Sequence, residues 1–289
     1  MRAFAYERPD SLADAIALLS AGPERARALA GGTDLIIRLR DGSIRPEVVV
    51  DVKRIPEVSD GLDEDGDRLV IGARAVMTDI AADERVRRHF PALAEAALVV
   101  GSVQIRNRAT LAGNLCNASP AADTAPSLLV YGAEVVAAGP HGTRRIPIDE
   151  LFVRSGLTTL APNELVTAIE LPTPREPHGS VHVRRTRRRG HDLASVTLAC
   201  SVTRDGVTRL AYGSVGPRPV LVTDRSGALA DGSRDAGERQ RILDELFAAA
   251  SPSPRSMRAS PEYRLAMLRV LARRAVDEAT RRLTAGGAA

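Results

Sequence analysis

Thr110-Leu111-Ala112-Gly113-Asn114-Leu115-Cys116-Asn117-Ala118-Ser119-Pro120-Ala121-Ala122-Asp123-Thr124-Ala125-Pro126 is the stretch on which the reading of this chain turns. It gathers small residues, turn formers and one acid in a segment that reads as a loop too polar for the core. A second glycine-bearing segment stands upstream, Ala30-Gly31-Gly32-Thr33-Asp34-Leu35. Its Gly-Gly follows a predicted strand over 27–30 and precedes a predicted short helix over 34–41, which Gly42 stops. Such a junction presents free backbone N–H groups and the positive end of a helix. Alone, it is an ordinary strand–turn–helix connection. Two such loops in one domain point to a ligand with a diphosphate, held by N–H groups from both sides.

Within the longer stretch, Thr110 and Asn114 offer neutral donors, Gly113 allows close backbone approach and Ser119 adds a hydroxyl. Asp123 can accept from a ribose or ribityl hydroxyl. Equally, it can cap a helix that begins after Pro126, with Asn114 and Asn117 stabilising turns. Neither loop has the GxGxxG or GxxxxGK[ST] spacing, which disfavours a Rossmann dinucleotide site and a P-loop.

The 289 residues leave room for two domains, or one large and one small. With 3% aromatic residues and no Trp, the cores must be built from Ala, Val, Leu and Ile. Lys53 is the only lysine, so the net charge of +4 is carried by arginine. Two cysteines, Cys116 and Cys200, are too few for a disulfide framework, an iron–sulfur cluster or a closed zinc site. They suit a reduced, cytoplasmic compartment. The N-terminus has no apolar signal core and no apolar run reaches membrane-spanning length, so a soluble protein without a membrane partner is expected.

Ser11-Leu12-Ala13-Asp14 reads as a capping box opening a helix with Leu12, Ala15, Ile16 and Leu19 on one face. Strands are expected over 48–52, 68–73, 134–138 and 164–171, with a hairpin at Pro140-His141-Gly142. Thr78 caps a short helix, Pro91 starts another, and a third lies over 127–131. Pro172-Thr173-Pro174-Arg175-Glu176-Pro177 is the best domain linker. Beyond it, three strands are expected over 180–183, 194–203 and 207–214, then helices over 236–250 and 261–283 and a disordered tail over 284–289. The arginines of 184–189 lack interleaved aromatics and read as a solvated strand and turn rather than a nucleic-acid platform. Asp192, in His191-Asp192, reads as a structural or ligand-orienting residue, and Cys116 as a small filler.

Together these residues resemble the flavin-binding (medium) subunit of the molybdenum hydroxylases, a family that includes the flavoprotein subunits of xanthine dehydrogenase and carbon monoxide dehydrogenase. The resemblance runs through Ala30-Gly31-Gly32-Thr33-Asp34-Leu35 and through Gln104-Ile105-Arg106-Asn107-Arg108-Ala109-Thr110-Leu111-Ala112-Gly113-Asn114. Ala118-Ser119-Pro120-Ala121-Ala122-Asp123, Arg188-Arg189-Gly190-His191-Asp192-Leu193-Ala194-Ser195-Val196 and Arg258-Ala259-Ser260-Pro261-Glu262-Tyr263-Arg264 continue it.

The resemblance implies an α+β fold. A two-part FAD-binding domain of the PCMH type (1–54 and 55–176) would precede a C-terminal α/β domain (177–289) with a three-stranded antiparallel sheet and helices. It implies that the two glycine loops hold the FAD diphosphate, that Asp123 binds a sugar or ribityl hydroxyl, and that Asp192 and Leu193 lie near the isoalloxazine. The FAD would be non-covalent, since Thr33 stands where a tethering His often sits in the related covalent-flavin fold. No catalytic residue or metal site is expected on this chain. Molybdopterin would belong to a large partner subunit and two [2Fe–2S] clusters to a small one, in a heterotrimer or a dimer of heterotrimers. Electrons would pass from the clusters to FAD and on to an external acceptor. Two departures stand out: Ala112, where the family often has Gly, and Arg184 or Arg185, near where some relatives carry a lysine. A stand-alone flavin oxidase of related fold is the main rival, and a scaffold without FAD or an arginine-rich nucleic-acid binder are lesser ones.

Overall fold

Ser11 is extended and its hydroxyl accepts the Asp14 N–H at 3.1 Å, which starts the first helix where the capping box predicts it. The computed structural model describes residues 2–286. In it, α1 (Leu12–Leu19) and α2 (Leu35–Arg40) accompany a small parallel sheet of β1 (Ala5–Glu7), β2 (Ala26–Leu29) and β3 (Val48–Asp51), in the order β1-β3-β2. Asp51, buried at the end of β3, collects the Tyr6 hydroxyl and the Lys53 ammonium, the latter at 2.6 Å. These contacts fasten β1 and the turn after β3 to the sheet.

The second unit is a five-stranded antiparallel sheet of β4 (Leu62–Asp65), β5 (Arg68–Gly72), β6 (Glu134–Gly139), β7 (Gly142–Pro147) and β10 (Leu165–Pro172), in the order β4-β5-β10-β6-β7. Six helices run between β5 and β6: α3 (Met77–Ala82), α4 (Glu84–His89), α5 (Pro91–Leu98), α6 (Val103–Arg106), α7 (Leu111–Cys116) and α8 (Thr124–Tyr131). Between β7 and β10 lie α9 (Ile148–Leu151), β8 (Phe152–Arg154) and β9 (Leu157–Thr158). Two expectations are corrected here. Thr78 is not a cap: α3 starts at Met77 and the Thr78 hydroxyl donates to Asn107 Oδ1 at 2.6 Å. Nor is the stretch over 110–126 a loop throughout, for α7 occupies its first part and α8 begins at Thr124, with Pro126 inside the first turn. Proline is tolerated there because that N–H has no helical acceptor. The many alanines that read as loop residues are small enough to pack as core, and Ala112, Ala118, Ala121 and Ala122 are all buried.

The third unit is a four-stranded antiparallel sheet, β11 (His178–Arg185), β12 (Val196–Thr203), β13 (Thr208–Gly213) and β14 (Val220–Asp224), in that order. The expected three-stranded sheet is therefore corrected by one edge strand. Val220-Leu221-Val222-Thr223 pairs with β13 across Gly216-Pro217-Arg218-Pro219, a connection that carries no two-residue hairpin signal. Two helices follow, α10 (Ala236–Leu246) and α11 (Pro261–Gly286). The expected disorder over 284–286 is replaced by the last turn of α11; the same expectation for 287–289 lies outside the described residues.

The third sheet is buried on both faces, and its period-two alternation divides the core in two. Leu198, Cys200 and Val202 of β12, with Leu210 and Tyr212 of β13, pack against residues of α10 and α11 such as Leu243, Leu268 and Val276. Ala199 and Ala211 point the other way, into the core shared by the first two units. These small side chains leave space for α8, whose eight residues are all buried. Among the described residues no helix is long and apolar enough to cross a membrane.

Gly179 sets the seam between β11 and α11. A Cβ built there would lie 1.8 Å from the Ala279 carbonyl oxygen. Gly179→Ala should therefore destabilise the protein by about 2 kcal/mol, the cost of overpacking a close backbone contact. Urea denaturation of the two proteins checks this, through a lower midpoint in the variant.

Candidate functional site

Gly31 brings the two loops together. A Cβ at this position would stand 2.0 Å from the Arg108 carbonyl oxygen and 3.1 Å from Ala109 Cα, so only glycine lets the backbones approach this closely. Further along, the Asn117 amide donates to Asp34 Oδ1 at 3.2 Å. The N–H groups of Gly31, Gly32, Thr33 and Asp34 donate to no protein acceptor among the described residues. The junction is thus a rigid strip of open donors.

The second loop is held from within. Thr110 caps α7 by accepting the Gly113 N–H at 3.1 Å, and the absent Cβ of Gly113 leaves room for that hydroxyl. The Thr124 hydroxyl donates to Asn114 Oδ1 at 2.7 Å and fixes the amide. Ala30, Gly31, Gly32, Thr33, Leu35, Asn114 and Ser119 are half-buried, Asp34 and Gly113 are exposed, and Thr110 and Ala112 are buried. The Ala112 methyl packs into the core beneath the loop. Cys116, read as a filler, is exposed, whereas Cys200 is buried, and burial holds its thiol well above the usual range.

Asp123 stands at the N-cap position of α8 but makes no capping bond with its side chain, so the reading of it as a helix cap is set aside. It is 7% exposed, and Arg184 Nη1 donates to its Oδ2 at 2.8 Å. Arg184 is therefore not one of the solvated arginines, as its run suggested. The other oxygen, Oδ1, is buried with no hydrogen-bond partner, and His182 Nε2 lies 3.5 Å away. A buried carboxylate oxygen left open is costly unless something donates to it. Sequence reasoning passed over His182 and met Arg184 only as part of the arginine run and as a departure from relatives with a lysine near that position. Their signal is the two-residue spacing, which puts both on one face of β11.

Asp192 organises the turn after β11. It accepts the N–H groups of Arg187 and Arg188, each at 3.2 Å, and its own neighbour Leu193 donates to it at 3.0 Å. Desolvation pushes its carboxyl up, but the Arg188 N–H and the charges of Arg187 and Arg188 outweigh this and hold it below the usual aspartate value. Leu193 is left 46% exposed at the end of the turn. Ser214 then ties three segments together: its N–H donates to the Pro120 carbonyl at 2.7 Å and its hydroxyl to the Ala194 carbonyl at 2.9 Å. Buried Arg264 in turn donates to the Ser214 carbonyl and to the Ser256 hydroxyl. The stretches around Ser119, Asp123 and Leu193 are in this way held as neighbours.

A cleft of about 380 Å³ lies elsewhere, between the second and third sheets, lined in part by Arg68, Glu134, Arg209 and Arg225. Two of its arginines are already engaged, Arg68 by Glu134 and Glu170 and Arg209 by the Val130 carbonyl. The loop junction, with its open donors, has the stronger claim to a ligand.

The family model described as the FAD binding domain in molybdopterin dehydrogenase matches residues 2–174, and that of the CO dehydrogenase flavoprotein C-terminal domain matches 182–279. The chain belongs to the FAD-binding subunits of the molybdenum hydroxylases. A xanthine dehydrogenase FAD-binding subunit of Escherichia coli O157:H7 is 33% identical over 288 residues, covering 98% of this chain and 97% of the relative. The carbon monoxide dehydrogenase medium chain of Hydrogenophaga pseudoflava is 30% identical, with 96% of each chain covered. A chain of the reconstituted CO dehydrogenase from Oligotropha carboxidovorans superposes with a TM-score of 0.89 at 30% identity, over 97% of this chain and 99% of that one. Membership extends over both the loop-bearing units and the third sheet, and it makes the chain an FAD-binding subunit of an oxidoreductase.

Gly31→Ala should force the two loops apart. FAD retained per purified chain should fall at least about tenfold while the far-ultraviolet circular dichroism stays that of a folded protein. Full flavin occupancy in the folded variant would show that the loop contact is dispensable.

Proposed function

We propose that this subunit holds one FAD non-covalently across the two glycine loops and serves as the flavin end of a multi-subunit molybdenum hydroxylase. In this reading electrons arrive from [2Fe–2S] clusters of a small partner subunit and leave to an external acceptor, while a large molybdopterin subunit transforms the organic substrate. One observation carries the reading: the Gly31 contact with Arg108 sets the four open N–H donors of Gly31 to Asp34 directly against the second segment. Those donors suit a diphosphate. The unpartnered Oδ1 of Asp123 suits a ribityl or ribose hydroxyl, which would supply the missing donor. Bound flavin supplies the ability to take electrons singly and give them as a pair.

The chain's own residues have defined tasks in this reading. Backbone N–H groups of Gly31, Gly32, Thr33 and Asp34 bind phosphate oxygens. Thr110, Asn114 and Ser119 are assigned to the same ligand, while Ala30, Leu35, Ala112 and Gly113 shape the backbone around it. Arg184 holds Oδ2 of Asp123, and Asp192 holds the turn that carries Leu193 beside the flavin ring. Thr33 has no ring nitrogen or thiol with which to tether a flavin. The reading assigns the metal centres to the partners, since two cysteines are too few for even one four-cysteine cluster. Two free cysteines support a reducing, cytoplasmic setting. The complex is proposed to be a heterotrimer, or two heterotrimers together.

Acid denaturation of the purified chain should release all yellow colour as FAD; flavin that stays on the polypeptide would overturn the non-covalent site. Asp123→Ala should weaken FAD binding about tenfold, the scale of one hydrogen bond to a charged group. The chain alone should oxidise no purine, aldehyde or carbon monoxide, whereas the complex isolated with its partners should contain molybdenum and iron. Substrate turnover by the single chain would revive the stand-alone oxidase.

A further inference from the structure

We propose that His182 is a positioning residue of the flavin site, acting through Asp123 by directing its unpartnered carboxylate oxygen. This rests on the FAD reading above and goes beyond it by naming what prepares the acceptor. His182 and Arg184 stand two residues apart on β11, so one face of the strand addresses both oxygens of Asp123. Arg184 takes Oδ2 at 2.8 Å. His182 Nε2 stops 3.5 Å from Oδ1, beyond hydrogen-bond length but close enough to act on it electrostatically.

The imidazole is fixed where it stands. Its side chain is 2% exposed, and Nε2 pairs with the Thr197 hydroxyl of β12 at 2.9 Å. The His182 backbone N–H donates to Glu95 Oε2 of α5 at 2.8 Å, and Glu95 Oε1 meets Arg282 Nη1 of α11 at 2.6 Å. Three elements packed against β11 therefore hold one residue beside one oxygen. With its proton on Nε2, the ring donates to Thr197, and the partial positive charge of that N–H lies 3.5 Å from the carboxylate oxygen. With Nε2 bare, the lone pair accepts from Thr197 and puts partial negative charge there instead. The first arrangement holds the carboxylate in place, yet Oδ1 keeps no hydrogen-bond donor of its own among the described residues. The hydroxyl of the bound cofactor is that donor.

The test is a fluorescence titration of FAD into flavin-free protein, for wild type, Asp123→Ala, His182→Phe, His182→Gln, His182→Asn and the double variant His182→Phe with Asp123→Ala. Phe keeps a ring of similar size and loses the N–H, so the dissociation constant should rise about tenfold. The Gln amide reaches the place of Nε2 and should bind within about threefold of wild type, whereas Asn falls short of it and should resemble Phe. The double variant should bind no more weakly than Asp123→Ala alone, because His182 acts only through that carboxylate.

Unchanged affinity in the Phe variant, additive losses in the double variant, or equal affinities for Gln and Asn would overturn the proposal. Where the Phe variant does not fold, the Gln and Asn comparison decides alone. No effect of Asp123→Ala would overturn the proposal and leave the FAD reading standing. Wild-type protein that fails to bind FAD would overturn both.

Discussion

α8 is buried along its whole length, and the arrangement of the other elements follows from that constraint. A helix enclosed on every side must satisfy its polar groups inside the protein. Near its C-terminal end the Tyr131 hydroxyl accepts the Ala92 N–H at 3.0 Å and pairs with the Ser180 hydroxyl at 2.6 Å, while burial raises the phenol above its ordinary pKa. Ser127 donates to the Ala92 carbonyl at 2.9 Å. These bonds lash α8 to α5 and to β11. At the other end stands Asp123, whose charge is met by Arg184 of the same strand. Removing one partner of such a buried pair costs about 3–5 kcal/mol, because the other charge remains buried. The helix that joins the sheets is thus also the element that places the acidic residue of the site.

The site inherits its rigidity from close backbone contacts. Gly31 lets the first unit touch the second at Arg108, and Gly179 lets the third sheet seat on α11. Ser214 and Arg264 then lock the turn that ends at Leu193 against the segment around Pro120. The diphosphate site proposed above needs donors that do not have to reorganise when the ligand arrives, and donors placed by such contacts meet that need.

Much of the basic charge is spent within the molecule. Arg184 is paired with Asp123, Arg185 donates to the Tyr263 hydroxyl at 2.9 Å, and Arg187 and Arg188 flank Asp192 at 3.7 Å. Arg282 bridges Glu95 and Glu278. What reads in one dimension as a cationic run is, in three, a set of ties that hold a turn and the start of α8 in place.

Local chemistry carried much of this protein in the sequence itself. The Ser11 capping box, the Pro91 helix start, the proline-rich break before β11 and the Gly31-Gly32 turn each follow from a residue acting on its own or adjacent backbone, and such signals survive without knowledge of the fold. The tertiary structure alone decided matters that depend on distant neighbours. Ala112, Ala121 and Ala122 are as suited to a loop as to a core until α8 and the third sheet close over them. Val220–Asp224 becomes a strand because β13 offers an edge. Asp123 carried equal readings as a cap and as a ligand until folding brought Arg184, 61 positions away, to one oxygen and left the other open. An ion pair across that separation has no periodicity to betray it, since its energy exists only after the strand and the helix have been packed together.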